Sequence, residues 1–160
     1  MVKTLNPGDA APDFDLPATS GSGKLADHLG KFVVVYFYPR DDTPGCTTEA
    51  KDFTSMKTEF DAANAVIIGI SKDTLKKHEK FTEKHGLGII LASDAQDDDG
   101  TDGVCEAFGV WVEKKMYGKV YMGIERATFL IDPEGKIVEV WRKVKVKGHA
   151  EAVLERIKSA

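Results

Sequence analysis

Apolar residues follow two rhythms along this chain, and the rhythm predicts the element each stretch forms. From Lys31 to Tyr38 the run KFVVVYFY is unbroken, β-branched and aromatic, the pattern of a strand covered on both faces in a mostly parallel sheet. Pro39 ends it. From Thr43 to about Ala63 the spacing changes. Cys46, Ala50, Phe53 and Phe60 fall at intervals of four, three and seven, which predicts one helix with these four on its buried face. Ala65 to Ser71 reads as a second buried strand, and Leu75 to His85 as a polar helix carrying Phe81 on its inner side. Strand, helix, strand, helix implies a right-handed parallel unit. Ile89 to Ala92 is expected to be a short strand and Val104 to Phe108 a short helix. Ala127 to Asp132 reads as a strand closed by the turn Pro133-Glu134-Gly135, with Lys136 to Val144 as its antiparallel partner. A last helix runs from about Ala150 to Lys158, striped by Ala150, Val153, Leu154 and Ile157. The class is α/β, a central mixed sheet flanked by helices.

At 160 residues the chain fits one ordinary domain, 1–160, able to bury a full core without staples. No apolar run approaches the roughly 18 residues that span a bilayer, and no membrane role is expected. The first residues lack the apolar stretch and cleavage site of a secretory signal, which predicts a cytoplasmic protein. A net charge of -4 offers no overall basic field for phosphate backbones, so nucleic acid is not an expected partner. The one basic stretch, Arg142 to Lys147, alternates like one face of a strand. The acidic stretch from Ser93 to Gly103 reads as an exposed loop; it lacks the alternating ligands and distal glutamate of a calcium site. His78-Glu79 lacks the second histidine of a zinc protease, because Thr82 stands four places on. No glycine-rich nucleotide loop follows the first strand. Neither cofactor nor metal is expected.

The chemistry concentrates in PRDDTPGC, Pro39 to Cys46, between a buried strand and a helix. With Thr43 as the cap and Pro44 at the first helical position, Cys46 falls in the first turn. Backbone N–H groups without intrahelical partners, together with the positive end of the helix dipole, favour a thiolate there. Gly45 leaves the backbone bare beside the sulfur, open to a small substrate. Each residue also has a plainer reading. Cys46 could be an inert buried cysteine, Thr43 only a cap, and Arg126, just before a buried strand, an ordinary surface charge. Trp111 and Trp141 read as packing.

The run FYPRDDTPGCTTEA, Phe37 to Ala50, resembles the active-site motif P-x-x-x-T-x-x-C of peroxiredoxins, in particular the bacterioferritin-comigratory or peroxiredoxin Q subgroup. Gly109 to Lys119, Gly123 to Asp132 and Val144 to His149 resemble the same subgroup, so the likeness covers nearly the whole chain. It implies a thioredoxin-like fold and a thiol-dependent peroxidase acting on hydrogen peroxide and organic hydroperoxides. By the same resemblance Cys46 is the peroxidatic cysteine, Thr43 the hydroxyl that bonds the peroxide, Pro39 the shield of the sulfur, Arg126 the guanidinium beside it, and Glu49 the acid that orients Arg126. Negative charge grows on the departing oxygen as the O–O bond breaks, so fixed donors help most in the transition state. The product is the sulfenic acid of Cys46. Thioredoxin or another thiol is the implied reductant, and a monomer or weak homodimer is expected.

One departure from the subgroup bears on recycling. Many members carry a second cysteine five residues after the first, about 7.5 Å of helical rise away, where this chain has Lys51. The other subgroup location, around Thr82 and Glu83, has none either. Cys105, the only other cysteine, remains as a resolving candidate, against recycling by an outside thiol. A peroxide sensor or holdase using the same cysteine is the alternative function, distinguished by oxidation that stops after one equivalent.

Overall fold

The computed structural model describes residues 4–95 and 103–160. Strands β1 (Phe32–Phe37), β2 (Ala65–Ser71) and β3 (Ile90–Ser93) arise where the apolar runs were expected. A separate hairpin follows, β4 (Trp111–Met116) and β5 (Lys119–Ile124), which pair only with each other, and then β6 (Ala127–Ile131) and β7 (Ile137–Arg142), which join the first three strands. The main sheet has the order β3-β2-β1-β6-β7. β1 and β2 are parallel, as are β2 and β3, while β6 runs antiparallel to both β1 and β7. The sheet is therefore mixed.

Alternation along β1 divides the interior in two. Val34, Tyr36 and Tyr38 face one side, packing with Cys46, Ala50, Phe53, Phe60, Phe81 and the stripe of the last helix. That layer comprises α1 (Pro44–Ser55), α2 (Lys57–Ala62), α3 (Leu75–His85) and α5 (His149–Lys158). Val33, Val35 and Phe37 face the other side, with Leu5, Phe14, Leu25, Cys105 and Phe108, under the N-terminal segment and α4 (Val104–Ala107). The expected helical stripe of Ala150, Val153, Leu154 and Ile157 is buried as a unit. No helix among the described residues is long and apolar enough to cross a membrane.

Three expectations need correction. The helix expected from Thr43 to Ala63 is two helices, broken at Met56. Its N–H is shared between the carbonyls of Asp52 and Phe53, and Ser55 Oγ donates to the Asp52 carbonyl as well. These competing bonds pull the chain out of α geometry without the glycine or proline that would announce it. The second strand of the β6–β7 pair stops at Arg142. Lys143 takes a positive φ of 49°, and Val144 N–H turns back to the Arg126 carbonyl at 3.0 Å, so the basic stretch to Lys147 is not a strand face. The acidic stretch does not begin exposed. Ser93 and Asp94 are buried, and Asp94 accepts from Val104 N–H at 3.0 Å and Cys105 N–H at 2.8 Å, holding the start of α4. Residues 96–102 of that stretch lie outside the described residues. Trp111 and Trp141 pack against the two cores as expected, and Trp111 also lies under the Lys72 ammonium at 4.8 Å.

Candidate active site

Register decides what meets Cys46. Ala127 pairs with Phe37 across β6 and β1, so Arg126 and Tyr38 leave the sheet side by side at the end of β1. From there the chain runs through Pro39 and Thr43 into α1. Cys46, in the first turn, is 1% exposed. Arg126 reaches over the helix start: Nη2 donates to Cys46 Sγ at 3.3 Å, and Nη1 to Glu49 Oε1 at 2.6 Å. The three residues form one buried cluster.

Gly45 makes that reach feasible. A Cβ at this position would lie 3.2 Å from Arg126 Nη2, tighter than ordinary van der Waals contact, and 3.9 Å from its Cζ. The space left by the absent side chain is therefore filled by the guanidinium as well as being bare backbone beside the sulfur.

Thr43 occupies the cap position by its backbone (φ -91°, ψ 156°) but makes no side-chain cap bond. Its hydroxyl donates to the Arg40 carbonyl at 3.0 Å instead. That corrects its reading as a side-chain cap and has two effects. The first-turn amides of Gly45 and Cys46 take no side-chain cap from Thr43 and keep their positive ends beside the sulfur. With its hydrogen committed to Arg40, the Thr43 oxygen presents lone pairs as an acceptor. Pro39, Arg40 and Thr43 line a cleft of about 680 Å³ whose opposite wall is Trp111, Lys114 and Tyr121 to Ile124 of the hairpin.

A buried network that sequence reasoning did not find anchors this loop. Asp41 Oδ1 accepts from the Tyr38 hydroxyl at 2.6 Å, and Oδ2 meets His78 Nδ1 at 2.6 Å. His78 Nε2 lies 3.0 Å from the Ala92 carbonyl. That carbonyl can only accept, so Nε2 carries a proton. Asp41 N–H donates to Asp73 Oδ2 at 2.8 Å, which also accepts from Ser71 Oγ at 2.7 Å. The ligand atoms of Asp41, Asp73 and His78 lie within 4.8 Å of one another, yet these groups are engaged with each other and with Tyr38, Ser71 and Ala92. They tie the Cys46 loop to β2, α3 and β3.

Electrostatics around Arg126 are set by burial. Burial pushes Glu49 up to about 7 from 4.5, against the pull of Arg126. Burial also works against the guanidinium, but Glu49 and Cys46 outweigh it and hold Arg126 above its ordinary range. Both directions follow from one buried ion pair whose acid is enclosed more completely than its base. Behind the cluster, His149 accepts or donates at 2.7 Å to Thr128 Oγ1. Burial, then Arg126, pushes it down to about 4, so it is neutral at physiological pH and adds no second charge there.

The Glu49 shift has a measurable consequence. A buried acid raised in the fold contributes its full stability below the unfolded value near 4.5 and loses it as pH rises to about 7, a loss on the order of 3 kcal/mol. Glu49→Gln has no proton to lose. Its thermal stability relative to the parent should therefore rise between pH 4 and pH 8 and level off above. A difference independent of pH over that window would show that Glu49 is ionised normally.

Cys105 is placed elsewhere. It is fully buried on the other face of the sheet from Cys46, in the cluster of Val33, Val35 and Phe37. Burial, then Asp94, pushes its thiol well above the ordinary cysteine range. The sheet separates the clusters that hold the two cysteines.

The model of the AhpC/TSA family matches residues 7–140. Peroxiredoxin Bcp of Xanthomonas campestris is 50% identical over 152 residues, covering 93% of this chain and 92% of the relative. Peroxiredoxin Bcp of Bacillus subtilis is 50% identical over 156 residues, covering 97% and 96%. Among solved structures, the Xanthomonas campestris bacterioferritin comigratory protein, described with its alkyl peroxide reduction activity, superposes with a TM-score of 0.83 at 45% identity, covering 99% of this chain and 98% of that one.

Proposed function

The chain belongs to the AhpC/TSA family, among the Bcp and Q peroxiredoxins, with their thioredoxin-like fold, and on that premise we propose that it is a thiol-dependent peroxidase whose peroxidatic group is Cys46. The observation that carries the assignment of residues is the Arg126 fork, one arm on the Cys46 sulfur and the other on Glu49. A guanidinium held in this way favours the thiolate and stands beside the oxygen that acquires charge.

Cys46 attacks the terminal oxygen of a hydroperoxide ROOH as the thiolate. The S–O bond forms as the O–O bond breaks, the attacked oxygen keeps its hydrogen as Cys46–SOH, and RO⁻ leaves and takes a proton from solvent. Thr43 accepts the hydrogen bond of the incoming peroxide, Pro39 covers the sulfur, and Glu49 orients Arg126. One external thiol then converts the sulfenic acid to a mixed disulfide and water, and a second restores Cys46 and departs as the disulfide. We place recycling with an external thiol such as a thioredoxin, because Lys51 and Thr82 stand where a resolving cysteine would be and Cys105 sits across the sheet. The two cores share one sheet, which favours a single domain over 1–160, and a monomer or weak homodimer needs no partner residue at this site.

The test is catalytic consumption of hydrogen peroxide and an alkyl hydroperoxide with a thiol reductant, followed by intact mass after one equivalent without reductant. Turnover in large excess over protein, with a single added oxygen mapped to Cys46, is expected. Oxidation that ends after one equivalent would return the protein to the class of sensors. Stoichiometric linkage of Cys46 to Cys105 would require the sheet layers to separate and would replace the external-thiol route.

A further inference from the structure

The ion pair between Arg126 and Glu49 leaves an electrostatic deficit. At 2.6 Å the guanidinium shares its charge with Glu49 once that acid ionises, at about pH 7 and above, so a thiolate at Cys46 is then only partly matched by Arg126. Another cation lies across the cleft. Lys114, on β4, lines the same cavity as Pro39 and Thr43; burial, then Arg126, pulls its ammonium below the ordinary lysine range, while Cys46 and Glu125 draw the charge. Lys72, also in the cleft, is held by Glu106 at 3.0 Å and Asp94 at 3.4 Å. Among the described residues Lys114 has no carboxylate at ion-pair distance.

The hairpin is shaped for this reach. Lys114 pairs with Tyr121 and Val112 with Gly123, so Lys114 and Gly123 are diagonal neighbours on one face. A Cβ on Gly123 would stand 3.1 Å from Lys114 Cδ and 3.3 Å from Cε. The stem therefore lies across the bare backbone of Gly123, leaning toward the hairpin base from which Arg126 emerges. Gly45 makes room for Arg126, and Gly123 makes room for Lys114.

We propose that Lys114 is a second cation of the peroxidatic site, laid over Gly123 so that its charge supports the Cys46 thiolate and the departing oxygen beside Arg126. The inference rests on Cys46 being the peroxidatic group, and its test is chosen to report without peroxide. Alkylation of Cys46, followed by peptide mapping, is compared for iodoacetate and iodoacetamide, reagents that differ in charge. A nearby cation accelerates the anionic reagent selectively, whereas a purely structural residue changes both alike. Lys114→Met should lower the iodoacetate-to-iodoacetamide rate ratio several-fold and slow peroxide attack about tenfold, the scale of one unit charge at short range in a partly solvated site. Lys114→Arg should restore most of both. Gly123→Ala should lower the ratio in the parent but not further in Lys114→Met, because the two act through one side chain. An unchanged ratio in both Lys114→Met and Lys114→Gln, or an Arg variant no better than Met, overturns the proposal. Absence of peroxide turnover in the parent would count against the peroxidase assignment alone, since the alkylation ratio is still read.

Discussion

Replacing Cys46 by serine is expected to bring peroxide turnover down to the background of the reductant, a loss of at least about 10³-fold, because a serine hydroxyl is a far weaker nucleophile than a cysteine sulfur. Cys105→Ala, which removes the other thiol without burying a hydroxyl, should leave the first-turnover attack unchanged within about twofold. The contrast follows from placement. Cys46 lies at a helix start with a guanidinium on its sulfur at 3.3 Å, whereas Cys105 lies among Val33, Val35, Phe37 and Phe108, with burial and Asp94 holding its proton on. Stopped-flow oxidation of each variant with one equivalent of peroxide separates attack from recycling. Equal loss of attack in the two variants would remove Cys46 as the sole nucleophile. Retention of attack but faster overoxidation in Cys105→Ala would point to a resolving role that crosses the sheet.

Much of this site could be read along the chain because its parts are local. The unbroken apolar run of β1, the proline that ends it and the first-turn position of Cys46 are all signals within sixteen residues, Lys31 to Cys46. Arg126 could be anticipated from its place before β6. Its union with Glu49 could not be derived from periodicity, since the two are 77 residues apart and the pairing of Ala127 with Phe37 brings them together. Only the family resemblance connected them. The Asp41–His78 pair escaped for the same reason: His78 reads as one more polar residue on a polar helix until α3 is laid against the loop. The β4–β5 hairpin gave a weak period because its residues are mostly exposed and charges fill both faces, Glu113, Lys114 and Lys115 following one another. The break at Met56 was silent because hydrogen bonds made it, not glycine or proline. Asp94 was hidden by company: within an acidic stretch a buried carboxylate that caps α4 looks like its solvated neighbours.

Arg126→Ala is expected to slow peroxide attack by about 10²- to 10³-fold, the range seen when one fixed transition-state donor is removed from a dry site. Two losses coincide. The Cys46 sulfur loses its donor at 3.3 Å, and Glu49, buried and already raised to about 7 with Arg126 present, loses the cation that drew it down and stays protonated to higher pH. The fold is therefore expected to tolerate the change better at neutral pH than a stranded carboxylate would suggest, because the acid can neutralise itself. Arg126→Lys should recover only part of the rate, since an ammonium on a flexible stem does not bridge sulfur and carboxylate as the planar fork does. Gly45→Ala tests the same geometry from the other side. Its added Cβ would stand 3.2 Å from Nη2, so the guanidinium must give by a few tenths of an ångström, loosening its contact with the sulfur while its charge is kept. Attack by Gly45→Ala should then fall toward the rate of Arg126→Lys. A Gly45→Ala variant as fast as the parent would mean that the guanidinium acts by its charge alone and that the contact with the Cys46 sulfur is dispensable.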